Sequence, residues 1–293
     1  MIIKKKIRFI LNPFSGVKIN EVVRTAIHQN IDTEQFTYEI IDTQRPNHAT
    51  DLAREAADAG YDIVVAVGGD GSVNEVACGL MGSKTVMGIL PAGSGNGLAM
   101  HLGLGRNIGK AVQVLNKGKT RTLDMCKLND TPYINLAGVG FDANIAYKYK
   151  RSTTRGFMGY LKFSLKEIFT FQFQDYKIEY DDKVLNMKAL SIIVANAPMF
   201  GYNFVIAPFA IPDNGKLEVV MLRKAPMWRY FFSIYRMLTQ TMHKSSLCER
   251  FQTDHIKVTV PNNSYAHIDG EGFEVKGELN FSILPNAIQV IVA

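Results

Sequence analysis

The chain has 293 residues, of which 47% are hydrophobic and 20% are charged, values typical of a globular protein long enough for two domains with separate cores. Lysine and arginine exceed aspartate and glutamate by 33 − 27 = 6, which suits an anionic partner such as a nucleotide, a nucleic acid or an anionic membrane surface without choosing among them. Cys78, Cys126 and Cys248 show no metal-binding or paired spacing, which predicts a reducing, cytoplasmic setting. No run approaches the ~18 apolar residues that a membrane-spanning helix requires.

Strand and helix patterns alternate over the first 117 residues. Short apolar runs predict strands at 7–12, 37–42, 61–69 and 86–90. The helical patterns between and after these runs predict helices up to about residue 29 and at 48–59, 72–81 and 107–117. This alternation predicts βαβ units, that is, a mostly parallel sheet with helices on both faces. Residues 1–122 are therefore predicted to form a three-layer α/β domain.

The stretch VVAVGGDGSVNE at 64–75 carries the first chemical signal. A buried strand stops at two glycines, and Ser72 and Glu75 have the S-x-x-E spacing of a capping box, which predicts a helix that begins at Ser72. A glycine turn that enters a helix N-terminus is a ready anion site, so we expect a nucleotide phosphate here. Asp70 would repel that phosphate unless a cation such as Mg²⁺ bridged the two. The alternative is a tight structural turn with Asp70 exposed.

Two other loops rich in Gly, Ser or Asn follow strands of the same predicted sheet. They are NPFSG at 12–16 and PAGSGNG at 91–97. Because ligands of such sheets bind beyond the carboxyl ends of the strands, these loops and the GGDG turn would form a cradle for a phosphorylated ligand. Thr43 follows a strand at the same edge and would add a hydroxyl. The GxGxxG, P-loop and protein-kinase motifs are absent from the sequence, so the phosphate would be bound by a different arrangement of loops.

Beyond residue 120 the pattern changes to many short strands. Residues 123–285 are predicted to form a mainly antiparallel β-sandwich domain, interrupted by long helical stretches at about 142–170 and 226–243. Both stretches carry aromatic and basic residues. Each could therefore lie in a membrane interface or line an entry for an acyl chain, or be an ordinary core-facing helix.

The motif IDGE at 268–271 places two carboxylates after a predicted strand. Residues two apart in an extended chain point to the same face, so Asp269 and Glu271 could address one ligand, although DGE is also a common turn. A kinase that acts on an alcohol needs a carboxylate to accept the hydroxyl proton and metal ions to neutralise the phosphoryl charge. Glu271 or Asp269 would be this base. Asp70 would hold the metal or position the phosphates. Asp124 could join the water network of the metal or be a solvated acid at the end of a strand.

The turn PDNGKL at 212–217 offers a second place for a cation. The pattern predicts a turn that enters a strand, and the side-chain and carbonyl oxygens at Ile211, Asn214 and Lys216 could also hold a structural cation. The six histidines show no spacing typical of a zinc site.

Together these motifs resemble the diacylglycerol kinase catalytic family, which includes bacterial lipid kinases and the sphingosine kinases. The resemblance is carried, in order along the chain, by NPFSG at 12–16, Thr43, GGDGSVNE at 68–75, PAGSGN at 91–96, LDM around Asp124, GVGFDA at 138–143, PDNGKLE at 212–218 and IDGE at 268–271. It implies an ATP-binding α/β domain like that of NAD kinases and phosphofructokinases, a β-sandwich lipid-substrate domain, and a site between them. It also implies Mg²⁺-dependent transfer of the γ-phosphate of ATP to a lipid hydroxyl, and a last strand, 286–293, that returns to the first domain.

The resemblance further implies roles for particular residues. Those that would contact ATP are Asn12, Pro13, Phe14, Ser15, Gly16, Thr43, Gly68, Gly69, Asp70, Gly71, Ser72, Val73, Asn74 and Ser94. Glu271 would be the proton acceptor, supported by Asp269. The family usually has an acid where this chain has Asn214, directly before the glycine of the structural Mg²⁺ turn. Asp142 stands where sphingoid-base kinases have an acid near the substrate amine.

The predicted function is an ATP-dependent lipid kinase that acts on a diacylglycerol-like lipid or a sphingoid base. Peripheral membrane contact and no nucleic-acid partner are expected, and a homodimer is left open. An NAD kinase or sugar kinase is one alternative, since these enzymes share GGDG, but it does not account for PAGSGN and IDGE together. A non-catalytic, lipid-responsive protein with a kinase-like shell is the other, and the intact Asp70 and Glu271 argue against it.

Overall fold

The computed structural model describes residues 4–13, 17–151, 157–226 and 228–293. The chain divides into two compact units, of which unit 1 comprises Met1–Leu123 and Asn286–Ala293 and unit 2 comprises Asp124–Pro285. Among the described residues, no helix is long and apolar enough to cross a membrane.

Unit 1 alternates strands and helices. Its strands are β1 (Lys5–Leu11), β2 (Phe36–Asp42), β3 (Ile63–Gly68) and β4 (Val86–Pro91), and its helices are α1 (Val17–Asn30), α2 (His48–Asp58), α3 (Asp70–Leu80), α4 (Gly97–His101) and α5 (Ile108–Lys117). The strands pair in parallel in the order β2-β1-β3-β4. Near the end of the chain Val290 pairs in parallel with Met87 of β4, so the last strand joins this sheet.

Helices cover both faces of the unit 1 sheet. Ile7 and Phe9 of β1 share a buried cluster with residues of α1 and α5. Arg8 lies between them in the strand and therefore points to the other face, where it donates hydrogen bonds to Leu52 O and Glu55 Oε1 of α2 at 3.2 and 3.0 Å. Helices α2 and α3 pack against each other and against β3. The predicted three-layer arrangement of unit 1 follows from this alternation.

The predicted start of α3 at Ser72 is wrong. The helix begins at Asp70 with Gly69 as its N-cap residue, and Glu75 does not close a capping box. Its carboxylate instead accepts the N–H groups of Asn47 and Ala49, both at 3.1 Å. These donors belong to the N-terminus of α2, where Asn47 has a left-handed conformation and makes no side-chain cap. The packing of α3 against α2 thus overrides the local motif.

Unit 2 is built mainly from antiparallel strands. They are β5 (Thr120–Leu128), which begins at the end of unit 1, β6 (Thr131–Tyr133), β7 (Leu136–Gly140), β8 (Gln174–Tyr180), β9 (Lys183–Ala195), β10 (Leu217–Arg223), β11 (Cys248–Thr253), β12 (His255–Ile268) and β13 (Glu271–Ile291), whose residues from Asn286 onward belong to unit 1. The main order is β11-β10-β9-β7-β12-β13, and β8 pairs with β9 and β12. In β10, Val219 and Met221 face one buried cluster while Val220 and Leu222 face another, so this strand is buried on both sides.

The helices of unit 2 are shorter than predicted. They are α6 (Phe141–Lys150), α7 (Phe157–Glu167) and α8 (Trp228–Leu238). The stretch predicted as one helix at 142–170 therefore contains two, and α6 ends before the turn at Arg151. The stretch at 226–243 becomes α8 and a separate 3-10 turn, Met242–Lys244. Strand β11 was not predicted.

The position of Glu75 yields a first test. We expect Glu75→Ala to lower the free energy of unfolding by about 1 kcal/mol, because the first amides of α2 lose their acceptor. Glu21→Ala, a matched change at an exposed position of α1, should stay within about 0.5 kcal/mol of the wild type. Urea titration measures both values. Equal stability of the two variants would contradict the assignment of Glu75 as the cap of α2.

Candidate active site

The strands of unit 1 end in register at one edge of the sheet. Leu11 pairs with Asp42 and Val67, and Gly68 pairs with Pro91. The hydrogen bonds continue into the loops, since Asn12 N donates to Val67 O at 3.1 Å and Thr43 N donates to Leu11 O at 2.9 Å. This edge therefore carries Asn12, Pro13, Thr43, the first turn of α3 and the loop that contains Ser94. Phe14, Ser15 and Gly16 lie outside the described residues.

Asp70 joins two of these loops. Its carboxylate accepts the N–H of Asn96 on Oδ2 at 2.9 Å and the N–H of Gly97 on Oδ1 at 2.7 Å. Asp70 opens α3 and Gly97 opens α4, so one negative charge ties the start of one helix to the start of another. The side chain is partly buried and is not the exposed acid of the structural alternative.

Glycine is required where the two loops meet. A Cβ on Gly93 would lie 2.2 Å from the Cα of Gly69, a distance that no side chain tolerates. Asn96 fixes the same loop, because its Oδ1 accepts the N–H of Gly93 at 3.1 Å and its Nδ2 donates to Gly93 O at 2.7 Å. The glycines of GGDG and PAGSGN therefore allow two backbones to touch.

This edge presents donors for an anion. The N–H groups of Gly71 and Ser72 lie in the first turn of α3, where an α-helix supplies no acceptor and the dipole favours negative charge. Asn12 adds a side-chain amide that donates to Ser72 Oγ at 3.1 Å. Such a donor set fits phosphate oxygens.

Burial raises the pKa of Asp70 from 3.8 to about 6, although the hydrogen bonds from Gly97 and Asn96 act in the opposite direction. Protonated Asp70 therefore favours the folded state. This contribution is fully present below the unfolded pKa and is lost as the pH rises through about 6.

A pH titration of stability tests this environment. We expect the free energy of unfolding of the nucleotide-free wild type, relative to Asp70→Asn, to fall between about pH 4.5 and about pH 7. The asparagine variant removes the titrating group and serves as the control at each pH. Stability curves that run parallel over this range would show that Asp70 is not desolvated as described.

In unit 2 the IDGE motif forms a tight hairpin. Ile268 pairs with Glu271, and Asp269 and Gly270 between them have φ values of 47° and 87°, as in a type I′ turn. The expectation that Asp269 and Glu271 point to one face of an extended chain is therefore wrong. The Asp269 carboxylate turns inward and accepts the N–H groups of Leu136 at 2.8 Å and Ile134 at 3.3 Å, while Glu271 is exposed.

Asp124 belongs to the same buried polar network as Asp269. Asn196 Nδ2 donates to the carbonyl oxygens of Asp124 and Ile134 at 2.8 and 2.7 Å, and Ile134 N in turn donates to Asp269. The Asp124 carboxylate accepts the N–H of Gly215 at 2.7 Å. The structure thus links the 212–217 turn to the IDGE turn, two motifs that lie more than fifty positions apart in the sequence.

The proposed ligands of a structural cation are partly engaged within their own turn. Asn214 Oδ1 accepts the N–H of Lys216 at 3.0 Å, and Ile211 O accepts the N–H of Asn214 at 3.3 Å. Among the described residues, no group of three or more His, Cys, Asp or Glu side chains could hold a metal ion. Mg²⁺ at Asp70 or Asp124 would therefore need phosphate oxygens and water to complete its coordination, as Mg²⁺ in kinase sites commonly does.

Sequence reasoning missed His267. Its Nε2 lies 2.7 Å from Asp142 Oδ2, and both side chains are largely buried. Gly138 makes this contact possible, because a Cβ there would lie 3.0 Å from Asp142 Oδ2 and 3.2 Å from His267 Nε2. Neither His267 Nδ1 nor Asp142 Oδ1 has a hydrogen-bond partner in the part of the chain that the structure describes. No spacing rule joins positions 142 and 267, and only the GVGFDA motif marked one member of the pair.

Asp269 and Glu271 make different contributions to stability. We expect Asp269→Asn to lower the free energy of unfolding by about 1–3 kcal/mol, because an amide cannot accept both buried N–H groups as a carboxylate does. Glu271→Gln, two positions away and exposed, should change it by less than about 0.5 kcal/mol. Chemical denaturation of both variants gives the comparison. A stable Asp269→Asn protein would contradict the inward role of this acid.

Comparison with known proteins identifies the family. Residues 6–128 match the diacylglycerol kinase catalytic domain, and residues 135–292 match the YegS C-terminal NAD kinase beta sandwich-like domain. The chain is 26% identical to a diacylglycerol kinase of Bacillus subtilis (strain 168), over 91% of this chain and 90% of that protein. A crystal structure of a diacylglycerol kinase from Bacillus anthracis str. Sterne superposes with a TM-score of 0.78 at 20% identity, covering 100% of this chain and 98% of the other.

A more distant fold match is an NAD kinase from Archaeoglobus fulgidus in complex with ATP, with a TM-score of 0.52 at 14% identity over 98% of this chain and 93% of that one. These matches confirm the predicted fold class, an NAD-kinase-like α/β domain followed by a β-sandwich. The chain belongs to the diacylglycerol kinase catalytic domain family. It is a lipid kinase, that is, a phosphotransferase with an alcohol group as acceptor.

Proposed function

We propose that this lipid kinase transfers the γ-phosphate of ATP to the hydroxyl group of a diacylglycerol-like lipid or a sphingoid base, with Mg²⁺ as the metal and with groups from both units taking part. The observation that carries this proposal is the pair of loops joined by Asp70 at the carboxyl edge of the parallel sheet. The first backbone N–H groups of α3 and the side-chain amide of Asn12 lie there, which are donors of the kind that bind phosphate. The diacylglycerol kinase of Bacillus subtilis supports the lipid class.

Each residue would have a defined part. The first turn of α3, Asn12 and Ser94 would bind phosphate oxygens, while Asp70 would keep the two loops in contact. Bound Mg²⁺, held near Asp70 and Asp124, would neutralise charge on the phosphates. Thr43, a buried residue at the same edge, would add a hydroxyl contact.

Glu271 is the proposed proton acceptor. As the lipid oxygen forms a bond to the γ-phosphorus, the bond from that phosphorus to the leaving ADP oxygen breaks, and the hydroxyl proton passes to the Glu271 carboxylate. Asp269 is buried and holds backbone amides, so we assign it the role of a positioning residue that fixes the turn in front of Glu271. This revises the expectation that either acid could be the base.

The substrate class can be tested directly. Purified protein is incubated with labelled ATP, Mg²⁺ and either diacylglycerol, monoacylglycerol, phosphatidylglycerol or sphingosine in mixed micelles, with NAD as a further acceptor. We expect one lipid class to become labelled and NAD to remain unlabelled. Labelled NAD would overturn the lipid assignment, and an absence of ATP turnover with every acceptor would favour a non-catalytic, lipid-responsive protein.

The role of Glu271 predicts a specific loss. In the same assay Glu271→Gln should lower kcat by at least ~100-fold, because general-base catalysis contributes factors of this size. Binding of ATP, measured by calorimetry, should stay close to the wild-type value. Glu274→Gln, a change at an exposed acid three positions further along the same hairpin, is the matched control and should keep its activity. Full activity of Glu271→Gln would remove this residue from the mechanism.

A further inference from the structure

Helix α8 is held to unit 2 by one face. Tyr230 and Ser233 are buried, and Met237 packs against the hydrophobic cluster that contains Tyr230. The Tyr230 hydroxyl donates to Arg223 O at 2.6 Å and accepts the N–H of Ala225 at 2.9 Å. The positions 230, 233 and 237 recur at helical spacing, so they define the inward side of the helix.

The outward side of α8 is also apolar, which is unusual for a helix on a protein surface. Trp228, Phe232 and Tyr235 are 62%, 61% and 66% exposed, and Phe231 and Leu238 are exposed as well. These five residues, here named the α8 aromatic face, follow the i, i+3, i+4, i+7 pattern of one helix stripe. Because a solvent-facing stripe is normally polar, the α8 aromatic face calls for a partner that covers it.

Positive charges predominate around this face. From Lys224 to Cys248 the sequence contains four lysines and arginines and no aspartate or glutamate, while Arg223 just before them is paired with Glu249. Arg229 and Arg236 flank the face, fixed by hydrogen bonds to Ser246 Oγ at 2.7 Å and Thr241 O at 3.4 Å. Lys224 and Lys244 are exposed. An aromatic stripe bordered by cations is complementary to an apolar layer beneath an anionic surface.

The α7 region enlarges the patch. Phe169, just after α7, is 65% exposed, and its ring lies 6.5 Å from that of Phe231. Lys162 and Lys166 of α7 are exposed as well.

We propose that the α8 aromatic face docks on an anionic lipid bilayer, with Trp228 and Tyr235 at the headgroup level and the flanking cations against lipid phosphates. Tryptophan and tyrosine favour this interface because each has an apolar ring and a polar end. A second copy of the chain is a poorer occupant, since a two-fold contact would bring together two sets of four cations, Lys224, Arg229, Arg236 and Lys244 of each copy. The inference rests on the proposed lipid kinase function for the choice of partner, and it also explains how the enzyme would reach a substrate that resides in a membrane.

The test uses the single tryptophan of the chain, Trp228, as an intrinsic reporter. The full-length protein is mixed, without ATP, with vesicles of phosphatidylcholine alone or with about one-third phosphatidylglycerol. With the anionic vesicles, we expect the Trp228 emission to shift to shorter wavelength and to be quenched by lipids brominated on the acyl chain. Both effects should be much smaller with phosphatidylcholine vesicles. High salt should reduce binding, because Lys224 and Lys244 are exposed.

Matched variants separate this face from other surfaces. Phe232→Ser combined with Tyr235→Ser should weaken partition to anionic vesicles at least ~10-fold, since two aromatic side chains no longer leave water. Val22→Ser combined with Val184→Ser removes two exposed apolar side chains elsewhere and should leave partition unchanged. Lys224→Glu with Lys244→Glu should weaken binding more than Lys183→Glu with Lys276→Glu, a pair of exposed lysines outside the region.

Three results would overturn the proposal. They are an absence of vesicle binding, binding without quenching of Trp228, and a blue shift that depends on protein concentration in the absence of lipid, which would indicate a second copy as the occupant. No ATP is present, so failure of docking is distinguished from failure of the kinase assay. A protein that phosphorylates lipid in micelles but does not bind vesicles would keep the proposed function and lose this inference.

Discussion

The contact on which unit 1 depends is the pair of hydrogen bonds from Asn96 N and Gly97 N to the Asp70 carboxylate. It binds two loops that belong to neighbouring strands, at a point where a Cβ on Gly93 would collide with the backbone of Gly69. The start of α3 is thereby fixed with its first amides at the edge of the sheet. A phosphate site made of backbone donors needs this rigidity, because amides placed in advance lose little freedom when an anion binds.

The acids of the motifs share one structural principle. Asp70, Asp124 and Asp269 each accept backbone N–H groups from a distant loop or turn. A partly or fully buried carboxylate held in this way stabilises backbone that would otherwise lack acceptors. Glu271 differs, since it stands exposed at the tip of a hairpin. Asp70, Asp124 and Asp269 therefore shape the loops, and Glu271 is the exposed acid to which the proposed proton transfer is assigned.

Much of the fold follows from sequence patterns, because the alternation of strand and helix determines where the loops of a parallel sheet meet. The convergence of residues 12–13, 43, 68–74 and 91–97 at one edge could be predicted in this way. The predictions from sequence are wrong where tertiary contacts override the local sequence motifs. Glu75 caps α2 and not its own helix, and the Asp-Gly pair at 269–270 makes a turn that separates the two acids. The pairing of His267 with Asp142 joins two segments that no local pattern relates.

The central claim is that the loops at 68–74 and 93–97 act as one phosphate-binding element. Hydrogen exchange of the full-length protein, followed by mass spectrometry with and without ATP and Mg²⁺, measures this most directly. The account predicts that saturating ATP slows exchange of both loops together, with a smaller effect in the Asp70→Asn variant at equal occupancy. Protection of only one loop, or saturation by ATP with neither loop protected, would contradict it.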